Sequence, residues 1–315
     1  MLLIGSDDGV YTQFDGHTEQ TLDAGRVHRL RTFDGVSGAF AATQGGLYHT
    51  DNGTEWRELC VPHERTNAVT VNPDANELLV GTSPAHIFRA SLSSIDPPSP
   101  PTWTELDGFQ QLPSRDDWCL PRHENRAHVR EILADPAGEN WLVAGVEVGG
   151  IHCSTDGGRS WVERSNGVDP DIHELTVTGP AEYVAATGHG LYRTRDAGQT
   201  WKRLDQNVRQ SYFRSVYSIG DNVYAAGALS NSSDWDDPDA DPGLFVATNA
   251  GSLDPLSIPA TDEMVTGMTA IEGELYVATH HGRLFAHRGS WNDVGEFPVR
   301  GPLTGRYTPV AALDA

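Results

Sequence analysis

Apolar and polar positions along this chain alternate in short runs rather than at the three-to-four-residue spacing of a helix, and one phrase of alternation recurs seven times. Each copy is a β run, a Gly-containing turn and a second run opening on an aliphatic or aromatic pair. The copies read LLIGSDDGVY (2–11), AFAATQGGLY (39–48), LLVGTSPAHIF (78–88), WLVAGVEVGGIH (141–152), YVAATGHGLY (183–192), VYAAGALSNSSDWDDPDADPGLF (223–245) and LYVATHHGRLF (275–285). Alternation broken by such turns predicts antiparallel hairpins. Ahead of every copy but the first lies one more strand: RLRTF, AVTVN, REILAD, ELTVT, SVYSI and GMTAI. The seventh stands at the C-terminus, in TPVAALDA (308–315).

A repeat near 40 residues built from short strands predicts propeller blades rather than stacked helix pairs; Trp161 and Trp201 are 40 residues apart. The expected fold is all-β, a seven-bladed β-propeller whose ring closes by pairing the C-terminal strand with the N-terminal blade. Closure removes the open sheet edges that would otherwise template aggregation. The 315 residues read as a single domain spanning 1–315, because the Pro/Ser stretch 91–102 falls inside the third blade in place of a turn. Two insertions are too long for simple connections and both carry Trp: 107–127 and 230–242. They are expected to be lids over one end of the ring.

A second repeat sits inside the first. STDGGRSW (154–161) recurs as RTRDAGQTW (193–201) and, degenerately, as HTDNGTEW (49–56), so that Asp51, Asp156 and Asp196 each stand two residues before a Gly and five before a Trp. The Asp is expected to accept the N–H groups of its own turn, the Gly to take a positive φ and the Trp to bury between blades. The phrase resembles the Asp-box of the BNR-repeat families, which include sialidases, sortilin-type receptor domains and a photosystem II assembly factor, and the core from HVREILADP to DIHELTV looks like uncharacterised prokaryotic BNR-repeat proteins. The resemblance implies that the boxes lie on the C–D turns and that any site lies on the opposite face, over the channel.

Charge narrows the partners. The chain carries 44 Asp and Glu against 22 Lys and Arg, a net charge of −22, and its only lysine is Lys202. A surface of that sign repels nucleic acid and anionic membranes and suits a halophilic solvent. An N-terminus without a basic signal region, and no apolar stretch of membrane-spanning length, lead us to expect a cytoplasmic protein, read as a monomer. Cys60, Cys119 and Cys153 are odd in number and show no paired spacing, so no disulfide framework is expected.

The residues that open the seven inner strands are His28, Asn67, Arg130, His173, Arg214, Thr266 and Thr308, a ring without an aliphatic member. Around them the hairpin turns offer Asp7, Asp8, Gln44, Glu147, His189, His280 and His281, and the first insertion Arg122, His123, Glu124 and His128. Glu147 is one carboxylate in an apolar hairpin and needs a cation or a proton, and Arg130 is the nearest candidate. This set predicts a funnel for a polar or anionic small molecule or sugar: Arg130 and Arg214 as a clamp, His128, His28, Asn67, Trp118 and Trp235 as further contacts, and Glu147 with His173 as the acid–base pair.

A sialidase, by resemblance, would need three clamping arginines, a catalytic Asp, a Tyr–Glu pair and an Arg-Ile-Pro motif; the last is missing, and Tyr212 and Glu174 are partners only by their place near strand starts. No cofactor is assigned. A metal held by His128, His173, His189 and His280 lacks the usual ligand spacing, a compact three-His site from His28, His173 and His280 would need non-adjacent blades that a ring sets far apart, and the acidic run Asp234, Asp236, Asp237, Asp239, Asp241 lacks the Gly and Glu of an EF-hand loop. The alternative from another class is a non-catalytic platform for a protein partner, which would expose an apolar patch around Trp118 and Trp235.

Overall fold

The computed structural model describes residues 1–315 apart from 15, 73–75, 96–98, 122–123, 248–250, 301–306 and 314–315. Seven four-stranded antiparallel sheets form the ring. Six are continuous in sequence; their inner strands are Val27–Phe33, Thr66–Asn72, His128–Ala134, Ile172–Gly179, Tyr212–Ile219 and Val265–Ile271. The remaining sheet is blade 1, in which Val310–Ala312 pairs with Leu2–Ser6 through Leu2↔Ala312, Leu3↔Ala311 and Ile4↔Val310. The Met1 ammonium also donates to the Leu313 carbonyl at 2.8 Å, so the two ends of the described chain lock one blade. The seven hairpins and seven inner strands expected from the pattern are all present.

Each sheet buries alternate side chains against the next blade, and the core is therefore a set of wedges between neighbouring sheets. Ala68, Leu79, Val129, Ile132 and Val146 fill one; Val184, Leu191, Phe213 and Val223 fill another. Glycine is demanded at Gly267, where a Cβ would stand 1.8 Å from the Thr308 carbonyl oxygen as the closing strand passes.

The turn phrase behaves as scaffold. Asp156 accepts from the Ser160 N–H at 2.9 Å and hydroxyl at 2.6 Å, Ser154 Oγ accepts from the Gly158 N–H at 2.8 Å, and Trp161 Nε1 donates to the Gly158 carbonyl at 3.1 Å. Those hydrogen bonds, the Ser160 hydroxyl first, hold the Asp156 carboxyl down to about 2. Thr194, Asp196 and Thr200 repeat the arrangement. In blade 2, however, the acceptor is not Asp51. The turn is one residue shorter, Thr50 Oγ1 binds the N–H of Gly53, and Asn52 Oδ1 accepts from the N–H groups of Thr54 and Glu55. Counting back from the Trp picks the wrong residue; counting forward from the Ser/Thr picks Asn52.

The first insertion is not a lid. Its apolar residues Phe109, Leu112, Trp118 and Leu120 are buried, and Phe109 meets Trp161 and Trp118 with ring centroids 5.2 Å apart. It is a wedge driven between blades 3 and 4, because those side chains find apolar cover there that a lid would deny them. Arg122 and His123 lie outside the described residues.

Candidate functional site

Inner strands start at one end of the ring and run to the other, where the Ser/Thr-Asp turns lie, so the strand starts face the opposite end. There a cavity of about 900 Å³ opens. The ladder explains how its walls are made. In six blades the register slips by one residue, between Val27 and Arg29, Thr66 and Ala68, Val129 and Glu131, Ile172 and Glu174, Phe213 and Ser215, and Val265 and Gly267. The residue inserted each time is His28, Asn67, Arg130, His173, Arg214 or Thr266. A β-bulge leaves that residue unpaired and re-aims its side chain, and the repeated bulge makes a ring of polar groups, all buried.

Period-2 alternation adds a second tier, two residues earlier on the same face. Arg26, Arg65, His128, Asp171 and Tyr212 precede His28, Asn67, Arg130, His173 and Arg214 in this way, and all five line the cavity. Tyr307, next to Thr308, joins them from the closing strand. Arg26, Arg65 and Asp171 stand outside the ring of strand starts and are legible in the sequence only as the positions two residues before His28, Asn67 and His173.

Below these tiers the channel is stoppered. Arg29 Nε meets Glu131 at 2.9 Å and its Nη1 meets Glu174 at 3.5 Å, while Arg31 reaches the same two carboxylates at 3.2 and 3.7 Å. Blade 2 is thereby joined to blades 4 and 5 across the axis. Arg29 Nη2 also donates to the His173 carbonyl at 3.2 Å. Non-adjacent blades, expected to be too far apart for a compact three-His site, are spanned here by the six-atom reach of arginine. Burial pushes the Glu131 carboxyl up, against the pull of Arg29 and Arg31.

Electrostatically the cavity inverts the sign of the protein. Arg26, Arg65, Arg130 and Arg214 line it, against Glu147 and Asp171. Arg26 is paired with Asp7 at 2.8 Å, and Arg130 forms a short ion pair with Glu147, which also has His128 at 3.5 Å. Burial raises the Glu147 carboxyl, yet Arg130 and His128 overcome it and hold the group well below the ordinary carboxylate range. Paired in this way, Glu147 is held as the carboxylate.

Arg65 and Arg214 form no ion pair among the described residues. Arg214 instead lies 3.9 Å above the Tyr307 ring centroid, with Arg130 at 5.0 Å. Burial would raise the Tyr307 hydroxyl, but the two guanidiniums turn its pKa downward. His28 meets the edge of the same ring at 5.5 Å, and burial followed by Arg130 and Arg65 lowers it well below the usual histidine value. Neither of its ring nitrogens has a hydrogen-bond partner among the described residues. His173 Nδ1 lies 2.8 Å from the Phe213 carbonyl and must donate to it, which leaves Nε2 facing Asp171 at 3.6 Å.

Six of the nine expected contact and acid–base residues line this cavity: His28, His128, Arg130, Glu147, His173 and Arg214. Asn67 is buried at its bulge but is not part of the lining. Trp118 and Trp235 are core residues: Trp118 sits 4.8 Å from the His152 ring, and Trp235 packs on His280 and donates to the Ser230 carbonyl at 3.2 Å. The second insertion does reach the site, through Ser230 to Ser233. Both Trp rings are covered, so Trp118 and Trp235 do not form the exposed apolar patch expected of a platform at those two positions. His189 faces the same cavity, but its side chain is exposed and paired with Asp169 at 3.4 Å.

His280 belongs to another group. Asp236, His280 and His281 bring three potential metal ligands within 4.8 Å of one another. His280 Nδ1 accepts the Met264 N–H at 3.0 Å, so a neutral ring carries its hydrogen on Nε2, the atom 3.2 Å from Asp236. That tautomer donates to the carboxylate and has no lone pair for a metal. The other acids of the run disperse, Asp241 pairing with Arg209 at 3.4 Å.

No family model matches the chain. A probable oligoxyloglucan-reducing end-specific xyloglucanase of Neosartorya fischeri is 27% identical over 226 residues, covering 51% of this chain and 27% of that protein. Among solved structures, a GH74 enzyme of Niastella koreensis superposes with a TM-score of 0.64 at 15% identity over 85% of this chain and 45% of that one. YCF48 bound to a D1 peptide superposes with a TM-score of 0.57 at 17% identity, over 85% and 81%. The chain is a seven-bladed propeller similar to these, and it spans about a quarter of the curated relative and less than half of the GH74 chain.

Proposed function

We propose that the funnel binds a carboxylate-bearing sugar or a similar anionic small molecule. One observation carries the reading: Arg214, a buried guanidinium, lines the cavity with no counter-ion among the described residues and with Nη2 unpartnered. Leaving a charge buried and unpaired costs several kcal/mol, and an anion in the funnel would offset that cost through charge-assisted hydrogen bonds. Arg65, equally unpaired, faces the same space.

The sugar half of the proposal is supported by the similarity to a protein named as a xyloglucanase, and by the volume of the cavity. Its charge is supported by the arginines, which a neutral oligosaccharide would leave unsatisfied. Four arginines, two tyrosines, a Glu and an Asp line it, which includes the residue types the sialidase resemblance calls for. Glu147, however, is paired to Arg130 and His128. Where chemistry follows binding, His173 Nε2 beside Asp171 is the group placed to move a proton.

Isothermal titration with glucuronate, N-acetylneuraminate, glucose and a xyloglucan oligosaccharide tests this. The acids are expected to bind the wild type and to lose affinity in Arg214→Gln. Equal binding of the neutral sugars, unaffected by Arg214→Gln, would overturn the reading.

A further inference from the structure

On the opposite face, where the Ser/Thr-Asp turns lie, blade 5 carries a second concentration of positive charge. Arg193 on the strand Gly190–Thr194 is directly opposite Lys202 on the outer strand Lys202–Arg203. Directly opposed residues of an antiparallel pair point to the same side, and like charges so placed destabilise a sheet. Arg195 adds a third cation two residues along. In a chain with twice as many acids as bases and a single lysine, that lysine is the residue set against an arginine.

The three side chains line a cavity of about 220 Å³ floored by Trp201 and Leu204, and no carboxylate is among its described lining residues. Arg195 has Glu182 at 3.4 Å. Arg193 has no ion pair among the described residues, is 7% exposed, and its Nε is buried without a partner. Burial, then the neighbouring Arg195, pull the Arg193 pKa down, and the opposing pull of Glu182 does not make up for them. Folding has therefore set three cations together at a cost that a bound anion would remove.

We propose that Arg193, Arg195 and Lys202 form a phosphate-binding site, separate from the funnel and on the other face of the ring. Three cations lining a space this small match a compact dianion better than a carboxylate, and Lys202, exposed, can reach a bound anion as a flexible point charge. The phosphate can arrive free or as the ester of a small organic molecule; the recognition chemistry is the same.

The test is a thermal-shift titration at constant ionic strength with inorganic phosphate, glucose 6-phosphate and acetate. It is run on the wild type, Arg214→Gln, Lys202→Gln and Arg193→Gln. Inorganic phosphate is expected to give a saturable rise in Tm that persists in Arg214→Gln and whose half-saturating concentration increases at least tenfold in Lys202→Gln and Arg193→Gln, whereas any effect of acetate, which the funnel can take, is expected to be unchanged in those two variants. Lys202 is exposed, so its variant folds whatever Arg193→Gln does; without phosphate Lys202→Gln is expected to melt above the wild type, since the opposed cation is gone. Tighter binding of glucose 6-phosphate identifies an ester as the ligand, and equal binding identifies free phosphate. A phosphate effect that survives Lys202→Gln, or that disappears in Arg214→Gln alone, overturns the site.

Discussion

Arg214 sits over Tyr307, its guanidinium carbon 3.9 Å from the ring centroid, and it forms no ion pair with a carboxylate among the described residues. The contact joins blade 6 to the segment that closes the ring. Tyr307 also takes a side-chain hydrogen bond from Arg214, so the ring and its hydroxyl hold the guanidinium in orientation while Nη2 stays unpartnered and available to an anion.

Replacing Arg214 with Gln should therefore weaken binding of a carboxylate ligand by about 10- to 100-fold, the worth of a lost charge-assisted hydrogen bond of about 1.5–3 kcal/mol. Its melting temperature should hold or rise, because an unpaired buried charge leaves with it. Calorimetry on the two proteins checks both; a large fall in Tm would mean that Arg214 is structural.

Tyr307→Phe should keep most of the affinity, since the ring face survives. Tyr307→Ala should lose about 1–2 kcal/mol of it, the value of a desolvated cation–π contact. If Phe and Ala variants bind equally poorly, the hydroxyl and not the ring is what the ligand senses.

Glu147→Gln should separate stability from binding. Taking one partner from the buried Arg130–Glu147 pair is expected to cost about 3–5 kcal/mol of stability. The same change frees Arg130 and removes a negative charge from the funnel, so an anionic ligand should bind more tightly. Chemical denaturation and calorimetry read the two effects, and weaker anion binding in the variant would show that Glu147 touches the ligand.

At the scaffold turns, Asn52→Ala should cost about 1 kcal/mol, as loss of a capping-type side chain does, whereas Asp51→Ala should fall within about 0.5 kcal/mol of wild type. Asp156→Ala should cost about 1–2 kcal/mol through lost turn hydrogen bonds. Asp156 titrates near 2 in the fold and near 3.9 when unfolded. A depressed carboxylate contributes stability that is complete above its unfolded pKa and lost as pH falls through the folded one. The gap between wild type and Asp156→Ala should accordingly be constant above about pH 5 and narrow towards pH 2, in melts followed by circular dichroism.

Much of this molecule is written in one dimension. Seven hairpin phrases with their Gly turns, six inner strands ahead of them and a seventh at the far end determine a closed ring, because each sheet has one face to bury and only its neighbours to bury it against. The list of strand starts, from His28 to Thr308, was legible for the same reason: a repeat places equivalent residues at equivalent depths. What the tertiary structure decided is how those residues are used. The bulges that turn His28, Arg130, His173 and Arg214 into the cavity depend on a one-residue slip in the ladder that local sequence does not announce. The fate of Trp118 and Trp235 turned on apolar cover found in the wedge between blades 3 and 4 and beside Tyr212 and His280, respectively. And Tyr307, more than ninety residues from Arg214, reaches it only because the chain's last strand returns to complete the first blade. Local alternation fixes which face of a strand is buried; which buried polar groups meet across the axis depends on ring closure, and that is a property of the whole chain.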